Sequence, residues 1–398
     1  MSFMSQKRHK IKESELKGFK YFKTISRMLE RLHEAGCQRD LAGNRRLHMD
    51  QYISLLLLYM FNPICTSLRA IQQASELKKV QRKLGCPRAS LGSLSEAATV
   101  FDSRLMQEIV TDLAAQLRPI SSHAKLDDLT GVLTAVDGTL INALSKMTWA
   151  LWNKDHKAIK AHTQFDIEKH VPVKITITHG NAVEAKVLAE NLEPGRIYVQ
   201  DRGYAYLSLF QQILDSNSSF VCRLKDNSVY ECLQEYELTP EALAAGIVFD
   251  KKVCLGCNCK TKEQLSVPVR LMAIKCKPHD KRYKTGIGGP EQRETLLIAT
   301  DIFDLDADVI ALIFRHRWAV EIFFRFFKHV LGCRHLLSYN QNGIELQTYS
   351  AIIACMLISL WTGRKPTLRT YEMLCWYFTG MADEEELLSH IHRLQKIA

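Results

Sequence analysis

The chain has 398 residues, with 53 Lys and Arg against 43 Asp and Glu, for a formal charge of +10. A hydrophobic share of 46% and a charged share of 24% exclude a disordered or collagen-like chain and leave enough apolar mass for a sizeable core. The cationic excess favours a polyanionic partner, nucleic acid being the commonest, and the twelve scattered cysteines without a secretory leader suit reduced thiols in the cytosol.

Residues 1–125 read as helical by periodicity. Leu55, Leu56, Leu57, Leu58 and Met60 form the densest core helix, which Pro63 follows. Ser67 has the placing of an N-cap, 85–95 is a turn-rich connector, and Ser103 to Leu117 is a further helix. Lys78, Lys79, Arg82, Lys83 and Arg88 between these helices suit DNA docking, and a helical dimerisation or cap domain fits equally well. The apolar runs Tyr52–Phe61 and Ala351–Trp361 are too short to span a bilayer, so no membrane partner is expected.

The pattern changes to α/β over 126–225. Val132 to Val136 is an apolar strand ending at Asp137-Gly138. Lys160–Asp166 and Val171–Thr178 read as paired strands, 181–190 as a short helix, and Arg196–Gln200 as a strand ending at Asp201. A helix over Ala205–Leu214 and a strand over Ser219–Leu224 complete a mixed sheet with helices on its faces. Residues 226–302 read as a β-rich insertion, with strands at Val253–Cys259, Val267–Cys276 and Thr295–Thr300 and a Lys/Gly-rich loop at 281–289. Residues 303–362 return to the core. Asp304 or Asp306 caps one long helix, which Gly332 ends, and a helix over Ile344–Leu360 follows. Residues 363–398 hold two C-terminal helices, Thr370–Phe378 and Glu384–Lys396.

On the long helix, Arg317, Glu321, Arg325 and Lys328 fall in one narrow sector at about 100° per residue. Phe326, Ala319, Val330, Phe323, Phe327, Val320 and Leu331 fill the opposite arc. Taken alone, that stripe reads as a solvated face held by i,i+4 pairs worth only a few tenths of a kcal/mol. Two upstream aspartates, Asp137 and Asp201, change the reading. Each follows an apolar strand, where ligands of α/β sheets collect, and each has a glycine within two positions that lets a bulky substrate approach the backbone. Two such aspartates and a helical glutamate are hard oxygen donors suited to Mg²⁺ or Mn²⁺ rather than zinc. A pair of such ions roughly 3.5–4 Å apart supports in-line phosphoryl displacement. Asp137 would bridge the two ions, and Asp201 and Glu321 would each complete one coordination sphere.

Asp137-Gly-Thr-Leu-Ile, Asp201-Arg-Gly-Tyr and the Arg317, Glu321 and Lys328 spacing together resemble an insertion-sequence transposase of the IS4 type. The resemblance runs over most of the chain. It implies an RNase H-like fold with an N-terminal helical domain and a β insertion before the glutamate. It also implies an Asp137–Asp201–Glu321 triad that is both catalytic and metal-binding, with two Mg²⁺ (or Mn²⁺) ions. Arg317 and Lys328 would hold phosphates near the scissile bond, with Arg325 and Arg202 as further DNA contacts. Phe314 stands where the family signature Tyr-x-x-Arg-x-x-x-Glu-x-x-x-x-x-x-Lys has tyrosine, which keeps the aromatic packing and removes the phenolic hydrogen bond. The expected partner is double-stranded DNA, at transposon ends and target, bound by a homodimer in the bacterial nucleoid. The family also implies a flipped base, for which Trp149, Trp152 and Trp318 are available and which none is singled out to stack. A catalytically idle DNA-binding protein of transposase ancestry, or an RNase H-like nuclease without strand transfer, would share these features.

Other motifs carry less. Cys254, Cys257, Cys259 and Cys276 lack a second ligand pair at zinc spacing and read as alternating strand cysteines. His162 reads as a satisfied core residue. Gly286, Gly288 and Gly289 lack the strand–loop–helix context of a phosphate loop. Lys281, Arg282 and Lys284 beside them read as DNA-backbone contacts or as solvated loop charge.

Overall fold

A computed structural model describes residues 25, 27–35, 39–40, 43–120, 123–126, 129–142, 147, 149–150, 158–257, 265–275, 295–330 and 336–396. Expectations for Trp152, Cys259, Cys276, the 281–289 loop, Leu331 and Gly332 lie outside those residues.

The N-terminal region is helical, with α1 (Leu32–Ala35), α2 (Met49–Phe61), α3 (Leu68–Ser75), α4 (Lys78–Leu84), α5 (Leu91–Val100) and α6 (Leu105–Gln116). Leu55 to Leu58 are buried in α2, which stops at Asn62 in extended backbone, as a residue before proline must. Ser67 caps α3, its hydroxyl accepting from the Ala70 N–H at 3.2 Å. The connector expected over 85–95 is shorter: Gly85 closes α4 at φ +64°, and Ser90 already caps α5 by accepting from the Ser93 N–H.

Nine strands form a single sheet in the order β3-β2-β1-β4-β5-β9-β8-β7-β6. They are β1 (Val132–Asn142), β2 (Ala158–Asp166), β3 (Val171–His179), β4 (Arg196–Gln200), β5 (Ser219–Arg223), β6 (Tyr230–Glu235), β7 (Ile247–Leu255), β8 (Val269–Lys275) and β9 (Thr295–Thr300). β1, β2 and β3 pair antiparallel, β4 lies parallel to β1, and β5 lies parallel to β4, which is the expected RNase H-like core. Helices α7 (Glu184–Ala189) and α8 (Leu207–Asp215) connect these strands.

Two expectations are corrected here. β1 does not end at Asp137: it continues to Asn142, because Asp137 to Asn142 keep pairing with β2 after the parallel ladder to β4 stops at Ala135. Gly138 therefore lies within a strand and not in a turn. The strands of 226–302 also continue the core sheet, since β9 pairs antiparallel with β5 and β8, β7 and β6 follow outward. β6 was not expected, because Tyr-Glu-Cys-Leu-Gln-Glu is a largely exposed edge strand without a buried alternating face. A short helix, α9 (Pro240–Ala244), precedes β7.

The long helix expected to carry Glu321 is two helices, α10 (Ala307–His316) and α11 (Trp318–Val330), with Arg317 at the joint. The Arg317 N–H bonds Phe314 C=O three residues back, which tightens the turn and breaks the α-helical ladder. Asp306 is the N-cap residue of α10.

Three helices follow: α12 (Gln341–Thr362), α13 (Leu368–Thr379) and α14 (Glu384–Lys396). α12 corrects the apolar-run estimate, since at 22 residues it is long and apolar enough to cross a membrane. It is apolar all round because it is the central core helix, with 89% of its apolar window buried inside the protein. Asn342 fixes it to the N-terminal helices by donating to the Ala98 and Phe101 carbonyls at 2.8 and 2.6 Å. Beside it, a Cβ on Gly343 would lie 2.6 Å from Ala98 Cβ, so only glycine permits this crossing.

Both faces of the sheet are covered. Leu133, Ala135, Ile197, Val199 and Val221 face a cluster shared with α2, α6 and α10 to α12, while Val136, Tyr198 and Cys222 face α7 and α8. Because side chains alternate along a strand, Asp137 and Asp201 share the face of Ala135 and Val199, under α10 and α11.

Candidate active site

Ala135 pairs with Val199 across the parallel ladder. Carrying that register two residues further puts Asp137 beside Asp201, one neighbouring strand apart, on the same face. The ladder itself stops at Ala135 and Val199, so the register directs the two carboxylates toward one another without pairing them. Each is held from behind by backbone: the Gly138 N–H donates to Asp137 Oδ1 at 2.8 Å, and the Arg202 N–H donates to Asp201 Oδ1 at 2.8 Å. These bonds leave the second oxygen of each group available.

Helix α11 lies across β1, with Phe323 packed on Phe165 of β2 at 5.4 Å between ring centroids. That packing anchors the helix so that its Arg317 end reaches the aspartates. Arg317 is not a solvated residue: it is 6% exposed and its guanidinium bonds Glu321 at 2.9 Å. Its ring neighbours are Phe314 and Trp318, at 5.8 and 5.5 Å. Phe314 is half-buried against the core and packs beneath Arg317. Arg202, Arg325 and Lys328 are exposed, and so are the apolar Trp318 and Ile322. The helix thus shows solvent a mixed apolar and cationic face rather than a purely charged stripe.

The electrostatics link these groups. Burial pushes the Asp137 carboxyl up to about 6; the Gly138 N–H and the Arg317 guanidinium oppose that rise, and Glu184 and Glu321 add to it. Asp137 thus carries a proton more readily in the native protein than in the unfolded chain. Stability of the metal-free protein should fall as the pH rises from about 4 to about 6 and stay at the lower level above that. Were Asp137 a cation ligand, as the family resemblance implies, the cation would have to displace the same proton, and Mn²⁺ should bind about tenfold more weakly at pH 5 than at pH 7, as isothermal titration calorimetry would read. Equal affinity at the two pH values would separate Asp137 from the cation.

The donor set fits a hard divalent cation. Asp137, Asp201 and Glu321 are all carboxylates, and the charges of Arg317 and Glu321 both act on Asp137. The surrounding polar atoms also fit. Thr163, directly across the β1–β2 ladder from Asp137, has a buried hydroxyl without a protein partner among the described residues, and so do Arg223 Nε and Arg317 Nε. Arg223 follows the Cys222–Gln200 pair, which puts it alongside Asp201. Thr163 and Arg223 escaped the sequence reading, although aligning the strand ends on the aspartates would have found both.

Glu184 was also missed. It stands at the start of α7, forms an ion pair with Lys160 at 3.3 Å, and approaches both glycines that accompany the aspartates. Its Oε1 lies 2.6 Å from where a Gly138 Cβ would be, and its Oε2 lies 3.7 Å from the corresponding position at Gly203. The room at Gly138 therefore accommodates a side chain of this protein and not an approaching substrate. His162 is buried on the opposite face from Asp137, with Nε2 bonded to the Thr178 hydroxyl at 2.8 Å and Nδ1 without a partner among the described residues. Trp149 donates its indole N–H to the Tyr339 carbonyl, a structural contact.

An RNase H-like sheet with acidic groups on its central strands, beside a helix bearing a glutamate, is the architecture of DDE transposases. The chain belongs to that family: the Transposase DDE domain matches residues 129–357. Relatives named as transposases occur in Sinorhizobium fredii (26% identical over 58% of this chain and 60% of that protein) and, for insertion sequence element IS5377, in Geobacillus stearothermophilus (25% identical over 69% and 68%). A third, named for insertion sequence element IS4SA in a Synechocystis strain, is 21% identical over 87% of this chain and 91% of its own length. The matched stretch thus spans less than two thirds of the Sinorhizobium protein. A solved piggyBac transposase synaptic complex with hairpin DNA superposes with a TM-score of 0.45 and 11% identity, covering 98% of this chain and 83% of that one.

Proposed function

We propose that the chain cleaves DNA at the ends of a mobile element and joins the freed 3′-hydroxyls to target DNA, with Asp137, Asp201 and Glu321 holding divalent cations. What supports this reading is that the β1–β4 register leads Asp137 and Asp201 to one sheet face, and that the charges of the paired Arg317 and Glu321 act on Asp137. Bound Mg²⁺ or Mn²⁺ would activate the attacking hydroxyl and neutralise charge on the leaving oxygen. The protein supplies the rest. Asp137 and Asp201 offer free carboxylate oxygens from a rigid sheet, and their other oxygens are fixed by backbone N–H groups. Arg317 pairs with the Glu321 carboxylate and would orient it. Arg325 and Lys328 follow at one and two helical turns from Glu321, which lets them track successive phosphates. Arg202 extends the cationic surface beyond Asp201. Phe314 contributes only its ring, packed against the Arg317 guanidinium. Two element ends are processed together, which favours a homodimer on paired DNA.

The test uses the full chain, a duplex carrying the inverted repeat that flanks its gene, Mg²⁺ and a target plasmid. Nicked ends followed by joined products are expected. Cleavage without joining would reduce the protein to a nuclease, and binding without cleavage would make it an idle relative.

A further inference from the structure

The carboxylate of Glu184 is set between the segments that carry the two aspartates. Gly138 follows Asp137 and Gly203 lies two residues after Asp201, and the two oxygens of Glu184 approach one glycine each. At Gly138 the fit is exclusive, since a Cβ would stand 2.6 Å from Oε1 and 3.3 Å from Lys160 Cδ. Lys160 fixes the carboxylate from the other side, its ammonium 3.3 Å from Glu184 Oε1 and donating to the Ala182 carbonyl at 3.2 Å. Lys160 belongs to β2, Gly138 to β1, Glu184 to α7 and Gly203 to the 3₁₀ turn after β4, so one ion pair gathers four elements. An acidic residue in a first helical turn is usually a solvated complement to the helix dipole. Glu184 instead points inward, with its side chain only 26% exposed, into space that Gly138 leaves open and within ordinary contact of Gly203.

We propose that Glu184 is a positioning residue: paired with Lys160, its carboxylate wedges between Gly138 and Gly203 and fixes the spacing of Asp137 and Asp201. This rests on the reading that those aspartates hold the cations. The spacing of two ligands on neighbouring strands sets how well a small, geometrically demanding cation is gripped. Supports of this kind typically change metal affinity by about 10–100-fold when removed.

The experiment measures Mn²⁺ binding to the full chain by calorimetry without DNA, alongside metal-free binding to the inverted-repeat duplex and thermal melting. Glu184→Ala should weaken Mn²⁺ binding by about tenfold or more while duplex binding changes less than about twofold. Glu184→Gln keeps the shape of the wedge without its charge, so it should remain folded and give a smaller loss. Gly138→Ala evicts the carboxylate and should match Glu184→Ala, and the double substitution should be no worse than either alone, because both remove one contact. Mn²⁺ affinity within about twofold of wild type in folded Glu184→Ala, or simple addition of the two single effects, would overturn the proposal. Asp137→Ala serves as the separate control: if it retains Mn²⁺ binding and cleavage, the active-site reading itself has failed, whatever Glu184 does.

Discussion

Asp137→Ala should leave no detectable strand cleavage or joining, while binding to the duplex end without metal stays within about twofold of wild type. The reasoning is geometric. Asp137 is the residue on which Arg317, Glu321 and Glu184 all act, and its strand runs parallel to β4, which leads into Asp201. On the proposed reading it would hold the divalent cations of the reaction, so removing it should abolish the chemistry. The loss can be told apart from misfolding. Burial makes the ionised carboxylate unfavourable in the metal-free protein, so alanine should melt no lower than wild type at pH 7. A variant that melts normally, binds DNA and cannot cut assigns the defect to chemistry. A cleavage rate within about tenfold of wild type would remove Asp137 from the reaction. Glu321→Ala is a less clean test, because it strands the buried Arg317 guanidinium without its partner and so costs stability as well.

Arg270→Ala should be the most damaging stability change in the sheet, at about 3–5 kcal/mol. Arg270 of β8 forms a two-pronged pair with Asp250 of β7, Nε to Oδ1 at 2.9 Å and Nη2 to Oδ2 at 2.6 Å, with side chains only 9% and 4% exposed. Its remaining nitrogen donates to the Leu305 carbonyl, just before α10. Alanine would leave the buried Asp250 carboxylate without its partner, and would also free the start of the helix pair that leads to Glu321. A loss of that size is a large part of the roughly 5–15 kcal/mol that holds a typical domain together. Urea unfolding reads it directly. Exchanging both partners for apolar residues of similar volume should restore much of the stability, since the pair is costly to break but not intrinsically strong. A loss below about 1 kcal/mol for Arg270→Ala would show that the pair does not hold the sheet together.

What could be read from the chain follows physical locality. The core helix around Leu55, the Ser67 cap and the strand ending near Asp201 are written in residues close together in sequence, where periodicity and capping act; the stripe of Glu321 is legible only in part, because Trp318 and Ile322 share its exposed face and Arg317 is buried. The joint at Arg317 was invisible because its residue types suit an unbroken helix; it shows only in the Arg317 N–H turning to the Phe314 carbonyl at a buried position. Gly138 looked like turn chemistry, because nothing nearby in sequence shows that Lys160 and Glu184 will occupy its missing side chain. β6 escaped because an edge strand needs no apolar alternation. The joining of β9 to β5 escaped because that pairing spans more than seventy residues and has no local signature. Of the candidate site, Asp137, Asp201 and Glu321 stand out as residue types; the register that directs Asp137 toward Asp201, and the placing of Thr163, Arg223 and Glu184, required the fold.

That β5–β9 seam has a consequence for how such a chain can be re-engineered. The segment between the second aspartate and the glutamate reads, in a linear diagram, like a cassette that could be clipped out or traded for another. In space its last strand zips onto Val221, Cys222 and Arg223. Excision would strip hydrogen bonds from the strand next to Asp201 and leave a raw β edge open to other chains. Grafts at this place must therefore bring their own closing strand, in register, or forfeit the scaffold they were meant to decorate.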